Sequence, residues 1–231
     1  MSVVTKIAEI RSEIKQLEKK YDRVEGSVKL IAVSKTKSVA RIREAYHAGQ
    51  KYFAENYVQE IFEKYYELTD IDIEWHFIGP IQSNKTKKIA ELVHWVHSID
   101  RIKTAKRLSD QRPHDLPDLN ICLQVNVNAE ATKAGFSCAE VLSAATEIMR
   151  FPRLCLRGLM AIPERTEDID LQRKSFSILR ELKNAVQSQL GVELDTLSMG
   201  MSSDIEAAIA EGASMVRIGT GIFGARDYEK F

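Results

Sequence analysis

Two hydrophobic periods alternate along this chain. Ile7, Ile10, Ile14 and Leu17 recur three and four residues apart among charges, which predicts a helix over 4–21. Leu30-Ile31-Ala32-Val33 is brief, apolar and partly β-branched, and predicts a buried strand from Leu30 to Ser34. The couplet of short apolar run and amphipathic stretch then repeats to the end. Strands are expected at 52–54, 74–78, 93–99, 119–127, 154–162, 194–197 and 215–218. Helices are expected at 38–48, 56–68, 83–92, 100–111, 137–150, 169–190 and 204–211. Ser38, Asn56, Ser83 or Asn84, and Asp100 are the expected N-caps, because a short polar side chain there accepts from an orphan backbone N–H. Gly219 to Gly224 reads as a turn-rich ending.

Eight strand–helix units in 231 residues lie within the ~200–400-residue span of a (β/α)8 TIM barrel. The expectation is a single α/β barrel domain over 1–231 with an extra N-terminal helix. A doubly wound open sheet is the alternative, but no GxGxxG follows the first strand. In a barrel the active face lies at the C-terminal ends of the strands. That gathers Lys35, Asn56, His76 to Gly79, Asn126, Met160, Ser198 to Ser203 and Arg217 to Gly221 at one mouth.

Composition narrows the partners. The 33 basic and 33 acidic residues balance to zero net charge, so nothing draws the chain to nucleic acid or an anionic membrane surface. Lys85, Lys87 and Lys88 have no stacking aromatics beside them and read as a solvated helix face. Cys122, Cys138 and Cys155 are odd in number and widely spaced, which argues against disulfides or a zinc ribbon and for a reducing compartment. Without an apolar signal core or membrane-length run, the expected address is the cytoplasm.

The candidate chemistry begins at Lys35. Ile31, Val33 and Lys35 share one strand face, and Lys37 joins them if the extension continues. An unperturbed lysine is only on the order of 0.1% free amine at neutral pH. Burial or a second cation lowers its pKa and frees the lone pair for attack on a carbonyl. The same two lysines also fit an ordinary solvent-facing strand end. Across the mouth, Met199-Gly200-Met201-Ser202-Ser203-Asp204 and Gly219-Thr220-Gly221 are small-residue loops after strands seven and eight, where barrels often bind phosphate. Arg217 faces the same side as Gly219. An amine, a phosphate site and an arginine between them describe a pocket for pyridoxal 5′-phosphate (PLP), with Arg217 against the ring nitrogen. Because guanidinium does not give up its proton, that nitrogen would stay unprotonated and the ring would be a weak electron sink. His76 fits either the ligand or the core. Asn56 fits either the ligand or a helix cap. His94 and His97 fall on opposite strand faces, against a shared metal. Lys133 is a second amine near the mouth or a solvated loop lysine.

AVSKTK at 32–37, FAENYVQE at 53–60, WHFIGPIQSNK at 75–85, GLMAIP at 158–163, LSMGMSSD at 197–204 and VRIGTGIFG at 216–224 together resemble the pyridoxal phosphate homeostasis proteins, the YggS/PROSC family. That family is similar to the barrel domain of alanine racemases. The resemblance implies a Schiff base between Lys35 and PLP, with Ser202, Gly219 and Thr220 at the phosphate and Arg217 at the ring nitrogen; Met201, Asn56 and His76 are the further cofactor-binding candidates. It makes Lys133 a lysine linked to cofactor handling. Ala54 departs from the family, which usually has Gly there. The implied function is cofactor buffering and delivery, with apo PLP-dependent enzymes as partners and no dedicated reaction. The alternatives are a PLP-dependent amino-acid racemase and a Schiff-base aldolase acting on a sugar phosphate. Alanine racemases add a β-domain that supplies a catalytic tyrosine. Only about seven residues follow Gly224, and Tyr228 is not assigned that role. A monomer is expected.

Overall fold

The strand couplets close into the barrel they predict. A computed structural model describes residues 1–130 and 132–224, so Tyr228 lies outside the described residues. The strands are β1 Lys29–Val33, β2 Tyr52–Glu55, β3 Glu74–Phe77, β4 Trp95–Ile99, β5 Leu119–Gln124, β6 Leu154–Met160, β7 Thr196–Ser198 and β8 Met215–Ile218. All pair in parallel and in chain order, and β8 returns onto β1 with Ile31 beside Arg217. The helices between them are α2 Val39–His47, α3 Val58–Glu67, α4 Thr86–Leu92, α5 Ile102–Gln111, α6 Val141–Ile148, α7 Ile169–Leu190 and α8 Ile205–Ala210.

Alternation along each strand separates two cores. Leu30, Ala32, Phe53, Trp75, Phe77 and Val96 pack outward with the helices. Ile31, Val33, Ala54, Trp95, Cys122, Met160 and Met215 fill the barrel itself. Both faces are buried, which is why the strands read as nearly unbroken apolar runs. Ala54 sits in the inner core, so its methyl has a packing place.

The added helix, α1 Val3–Lys20, buries Val3, Ile7, Ile10, Ile14 and Leu17 against α2, α8 and the short last helix, α9 Thr220–Phe223. Ser2 caps it by accepting from Thr5 N at 3.1 Å. Arg11 ties it to the barrel by donating to the carbonyls of Ala48 and Gly49 at 3.1 and 2.9 Å.

Several starts differ from the sequence expectation. Ser38 holds the N-cap position of α2 but makes no side-chain cap bond. Helix α3 begins after Tyr57 rather than Asn56, α4 after Lys85 rather than Ser83 or Asn84, and α5 after Arg101 rather than Asp100. The physical reason is shared. Each chain runs on past its strand before the helix can start, and at α3 the residue so displaced, Asn56, lines the mouth instead of capping. The loop at Gly79 shows how tightly these segments meet, since a Cβ there would stand 1.9 Å from the Asn56 carbonyl oxygen. The expected turns at 219–224 are wound into α9. Among the described residues no helix is long and apolar enough to cross a membrane.

Candidate functional site

β1 ends at Val33, and the chain turns at once. Thr36 takes φ 61°, a left-handed conformation that costs a β-branched residue about 1–3 kcal/mol. Lys37 N donates to Ser34 O at 3.0 Å across this turn. The extended continuation expected for Lys37 is therefore absent. The turn still brings Lys35 and Lys37 to one cavity, where Lys37 is buried.

That cavity encloses about 640 Å³ at the C-terminal end of the barrel, within the range of small-molecule sites. Lys35, Asn56 and Arg217 line it, as do Met201, Ser202, Gly219 and Thr220 from the last two loops. These loops abut, because a Cβ on Gly221 would stand 3.1 Å from Ser202 Oγ. The Asp204 carboxylate accepts from Met201 N and shapes the first of them. Burial raises the Asp204 pKa against the pull of that bond and of Arg217. Asn56 is not a cap. It lines the cavity, and its Oδ1 is buried with no hydrogen-bond partner among the described residues. Lys133 reaches the cavity too, ion-paired to Glu130 at 2.6 Å and donating to Ile162 O at 3.3 Å. Asn126 closes this loop by accepting from Glu130 N at 3.1 Å.

His76 is a different case. It does not line the cavity but lies fully buried in the barrel interior, with Nδ1 2.8 Å from His97 Nε2 and its ring stacked on Trp95. His97 Nδ1 lies 2.7 Å from Ser198 Oγ, which accepts from Arg217 Nη1 at 2.8 Å. Arg217 Nη2 donates to Ala161 O at 3.0 Å. A polar row thus runs down the barrel from the cavity, and at its far end His76 Nε2 meets Glu74 Oε1 at 3.1 Å. Burial lowers the Arg217 pKa to about 10, which leaves it a cation at neutral pH. Burial also lowers both histidines, so they are neutral there. Burial would raise Glu74, yet the His76 contact and the nearby positive charges outweigh it and bring the pKa to about 2. His94 stands outside β4, donating nothing to this row; its Nδ1 accepts from Trp75 N at 3.0 Å. Among the described residues no His, Cys, Asp and Glu cluster could hold a metal.

Sequence reasoning missed the groups behind the Lys35 turn. Glu60 and Lys64 are an i,i+4 pair on α3, a spacing that could have flagged them. Their partner Glu55, on β2, joins them only through strand–helix packing.

Comparison with known proteins follows this geometry. Residues 6–227 match the family described as alanine racemase, N-terminal domain. A pyridoxal phosphate homeostasis protein of Pseudomonas aeruginosa is 52% identical over 227 residues, covering 98% of this chain and 97% of the relative. The structure of PipY from Synechococcus elongatus with PLP bound superposes with a TM-score of 0.85 at 36% identity, covering 96% of this chain and all of that one (100%). Alanine racemase of Corynebacterium glutamicum superposes with a TM-score of 0.70 at 16% identity, covering 99% of this chain and 63% of the enzyme, a likeness of fold.

Proposed function

The chain belongs to the pyridoxal phosphate homeostasis proteins, on the alanine racemase N-terminal domain, and from that membership we propose that it binds PLP and keeps it available in the cell. One observation carries this reading: an amine, a guanidinium and two hydroxyl-bearing loops, from Lys35, Arg217, Ser202 and Thr220, line a single cavity. PLP supplies an aldehyde that a lysine amine can capture and a phosphate that hydroxyls and backbone N–H groups can hold. The donor set fits both ends. The partnerless Asn56 Oδ1 is a further polar atom in the cavity wall.

Lys35 would supply the amine that condenses with the aldehyde, one water leaving as the C=N bond forms. Ser202, Gly219 and Thr220 hold the phosphate. Arg217 would stand as a donor to the ring nitrogen and, staying charged, would leave that nitrogen without a proton. Lys133, at the cavity's edge, is a second amine for handing the cofactor on. His76 acts from below, through His97 and Ser198, rather than by touching the ligand. The protein works as one cytoplasmic barrel domain, as a monomer, that holds cofactor for apo PLP-dependent enzymes without turning over a substrate of its own.

The test is direct. Purified protein given PLP should show an absorbance band near the visible edge, and borohydride should fix the cofactor covalently on Lys35 by peptide mapping. Lys35→Ala should abolish the fixed adduct while retaining weak phosphate-dependent binding. No adduct at Lys35 overturns the binding reading. Racemisation of amino acids at enzyme-like rates overturns the homeostasis reading and favours the racemase alternative.

A further inference from the structure

The amine at position 35 must point into the cavity from a strained turn, and the groups that hold that turn lie outside the cavity. Lys64 Nζ makes three contacts: to Glu55 Oε1 at 2.8 Å, to Glu60 Oε2 at 2.7 Å and to the Ser34 carbonyl at 2.9 Å. An ammonium has three hydrogens, so all its donors are committed. Ser34 Oγ donates to Glu55 Oε1 at 2.7 Å, and Thr36 N donates to Glu60 Oε2 at 2.7 Å.

The arrangement is specific to one residue. The Ser34 carbonyl belongs to the peptide plane before Lys35, and the Thr36 N–H belongs to the plane after it. Fixing both planes fixes both backbone dihedrals of Lys35, and with them the direction of its Cα–Cβ bond. A cluster needed only for stability has no reason to grip these two planes. Its burial is also costly, because three charged groups are taken out of water with Glu55 fully buried.

We propose that Glu60, Lys64 and Glu55 are positioning residues that aim Lys35 at the aldehyde of its ligand and set how readily the amine captures it. This rests on the reading of Lys35 as the capturing amine. A pH dependence follows from the charge count, two carboxylates to one ammonium. Glu55 is the group that adjusts: its Oε2 is buried without a partner among the described residues. Burial raises its pKa to about 7, against the pull of Lys64 and Ser34 and with a further push from Glu60. The groups facing it are Lys64 and Glu60 from α3 and Ser34 from the end of β1. Near neutrality the cluster therefore changes between balanced and net negative directly behind the turn.

The experiment titrates apo protein with PLP and follows the borohydride-fixable adduct at Lys35 from pH 6 to 8.5, with thermal midpoints recorded for every variant. Glu60→Ala, which removes the charged acceptor of both Thr36 N and Lys64 Nζ, is expected to weaken capture about tenfold or more. Glu60→Gln, whose amide oxygen still accepts from Thr36 N, is expected to restore most of it. Glu55→Gln keeps the acceptor for Ser34 and Lys64 but cannot titrate, so it should flatten an inflection that wild type shows near pH 7. Capture by Glu60→Ala with the wild-type constant, rate and pH profile overturns the proposal while leaving Lys35 as the amine. If Glu60→Ala does not fold, the other two variants decide: a Glu55→Gln profile identical to wild type overturns it. Absence of any adduct in wild type overturns the functional reading, and this proposal with it.

Discussion

Ser198 stands between Arg217 and His97, accepting from one at 2.8 Å and facing the other at 2.7 Å. Its position suits one direction for the hydrogens of the row. A guanidinium only donates, so Ser198 Oγ accepts from it and keeps its own hydrogen free for His97 Nδ1, 2.7 Å away. His97 then carries hydrogen on Nε2 and donates to His76 Nδ1. His76 carries its hydrogen on Nε2, toward the Glu74 carboxylate, which only accepts. That order gives one tautomer for both rings, although the 3.1 Å contact of His76 Nε2 with Glu74 Oε1 satisfies neither atom as a hydrogen bond.

Removing that hydroxyl breaks the row at its centre. Ser198→Ala leaves an Arg217 donor and the His97 Nδ1 acceptor buried without partners. The expected loss is about 1–3 kcal/mol in urea denaturation. Nitrogen NMR of the wild-type imidazoles should show both protonated on Nε2 in the apo protein. Signals for protonated Nδ1 on both rings would contradict the polarity argued above.

Thr36 makes the opposite kind of prediction. Its left-handed φ of 61° and its buried Oγ1, without a hydrogen-bond partner among the described residues, are both unfavourable. Glycine enters this conformation freely, at an entropic cost of about 0.5–1 kcal/mol, against strain of about 1–3 kcal/mol. Thr36→Gly should therefore raise the stability by up to about 2 kcal/mol, while the slackened turn weakens capture at Lys35. A variant that is both less stable and equal in capture would remove strain from the account of this turn.

Two glycines separate close approach from backbone conformation. A Cβ on Gly79 would lie 1.9 Å from the Asn56 carbonyl oxygen, whereas nothing lies within 4 Å of one on Gly191, whose φ is 64°. Gly191→Ala should cost about 1 kcal/mol, the penalty of a left-handed alanine. Gly79→Ala must push the β2 and β3 loops apart. It should cost several times as much, on the scale of overpacking at about 1–3 kcal/mol or more, and it should disturb Asn56 in the cavity wall. Equal midpoints for the two variants would argue that the loops move freely.

The barrel was legible because burial on both strand faces writes apolar runs directly into the chain, as at Leu30 to Val33. The mouth was legible because strand ends are set by the fold, and Lys35, Arg217, Ser202 and Thr220 do meet there. What escaped was pairing that depends on three-dimensional depth. The strand pattern gave the side of His76 but not its layer, buried beneath the cavity, where it meets His97 from the next strand. Asn56 has the side chain of a cap, yet the chain needs its position to clear the mouth. Glu55 and Lys64 are nine positions apart on different elements, a separation with no periodic signature. Only the i,i+4 pair Glu60 and Lys64 leaves a local trace.

The buried groups also pull the stability in opposite directions with pH. His76 and His97 are held below their ordinary 6.5 by burial. Between their folded values and 6.5 the unfolded chain binds more protons, so their contribution is present above pH 6.5 and lost as pH falls. Glu55 has the reverse sign: its folded pKa of about 7 exceeds the ordinary 4.5. The folded protein binds the extra proton between these values, so this contribution is full below pH 4.5 and lost as pH rises through 7. Wild-type stability should therefore fall from pH 7 to 5, because uptake at Glu55 only partly offsets the shifts of His76, His97 and the likewise lowered His94. Glu55→Gln removes the offset and should steepen the fall, whereas His97→Asn should flatten it. Below pH 4.5 Glu74 takes over. Its folded pKa of about 2 makes its contribution fade as pH drops toward that value, and Glu74→Gln should shrink that segment of the acid limb, the lowered carboxylates such as Asp195 keeping the rest. Denaturant midpoints measured at half-unit intervals from pH 2 to 8 check all three slopes, and a wild-type curve that rises as pH falls from 7 to 5 would sink the assignment of neutral buried histidines.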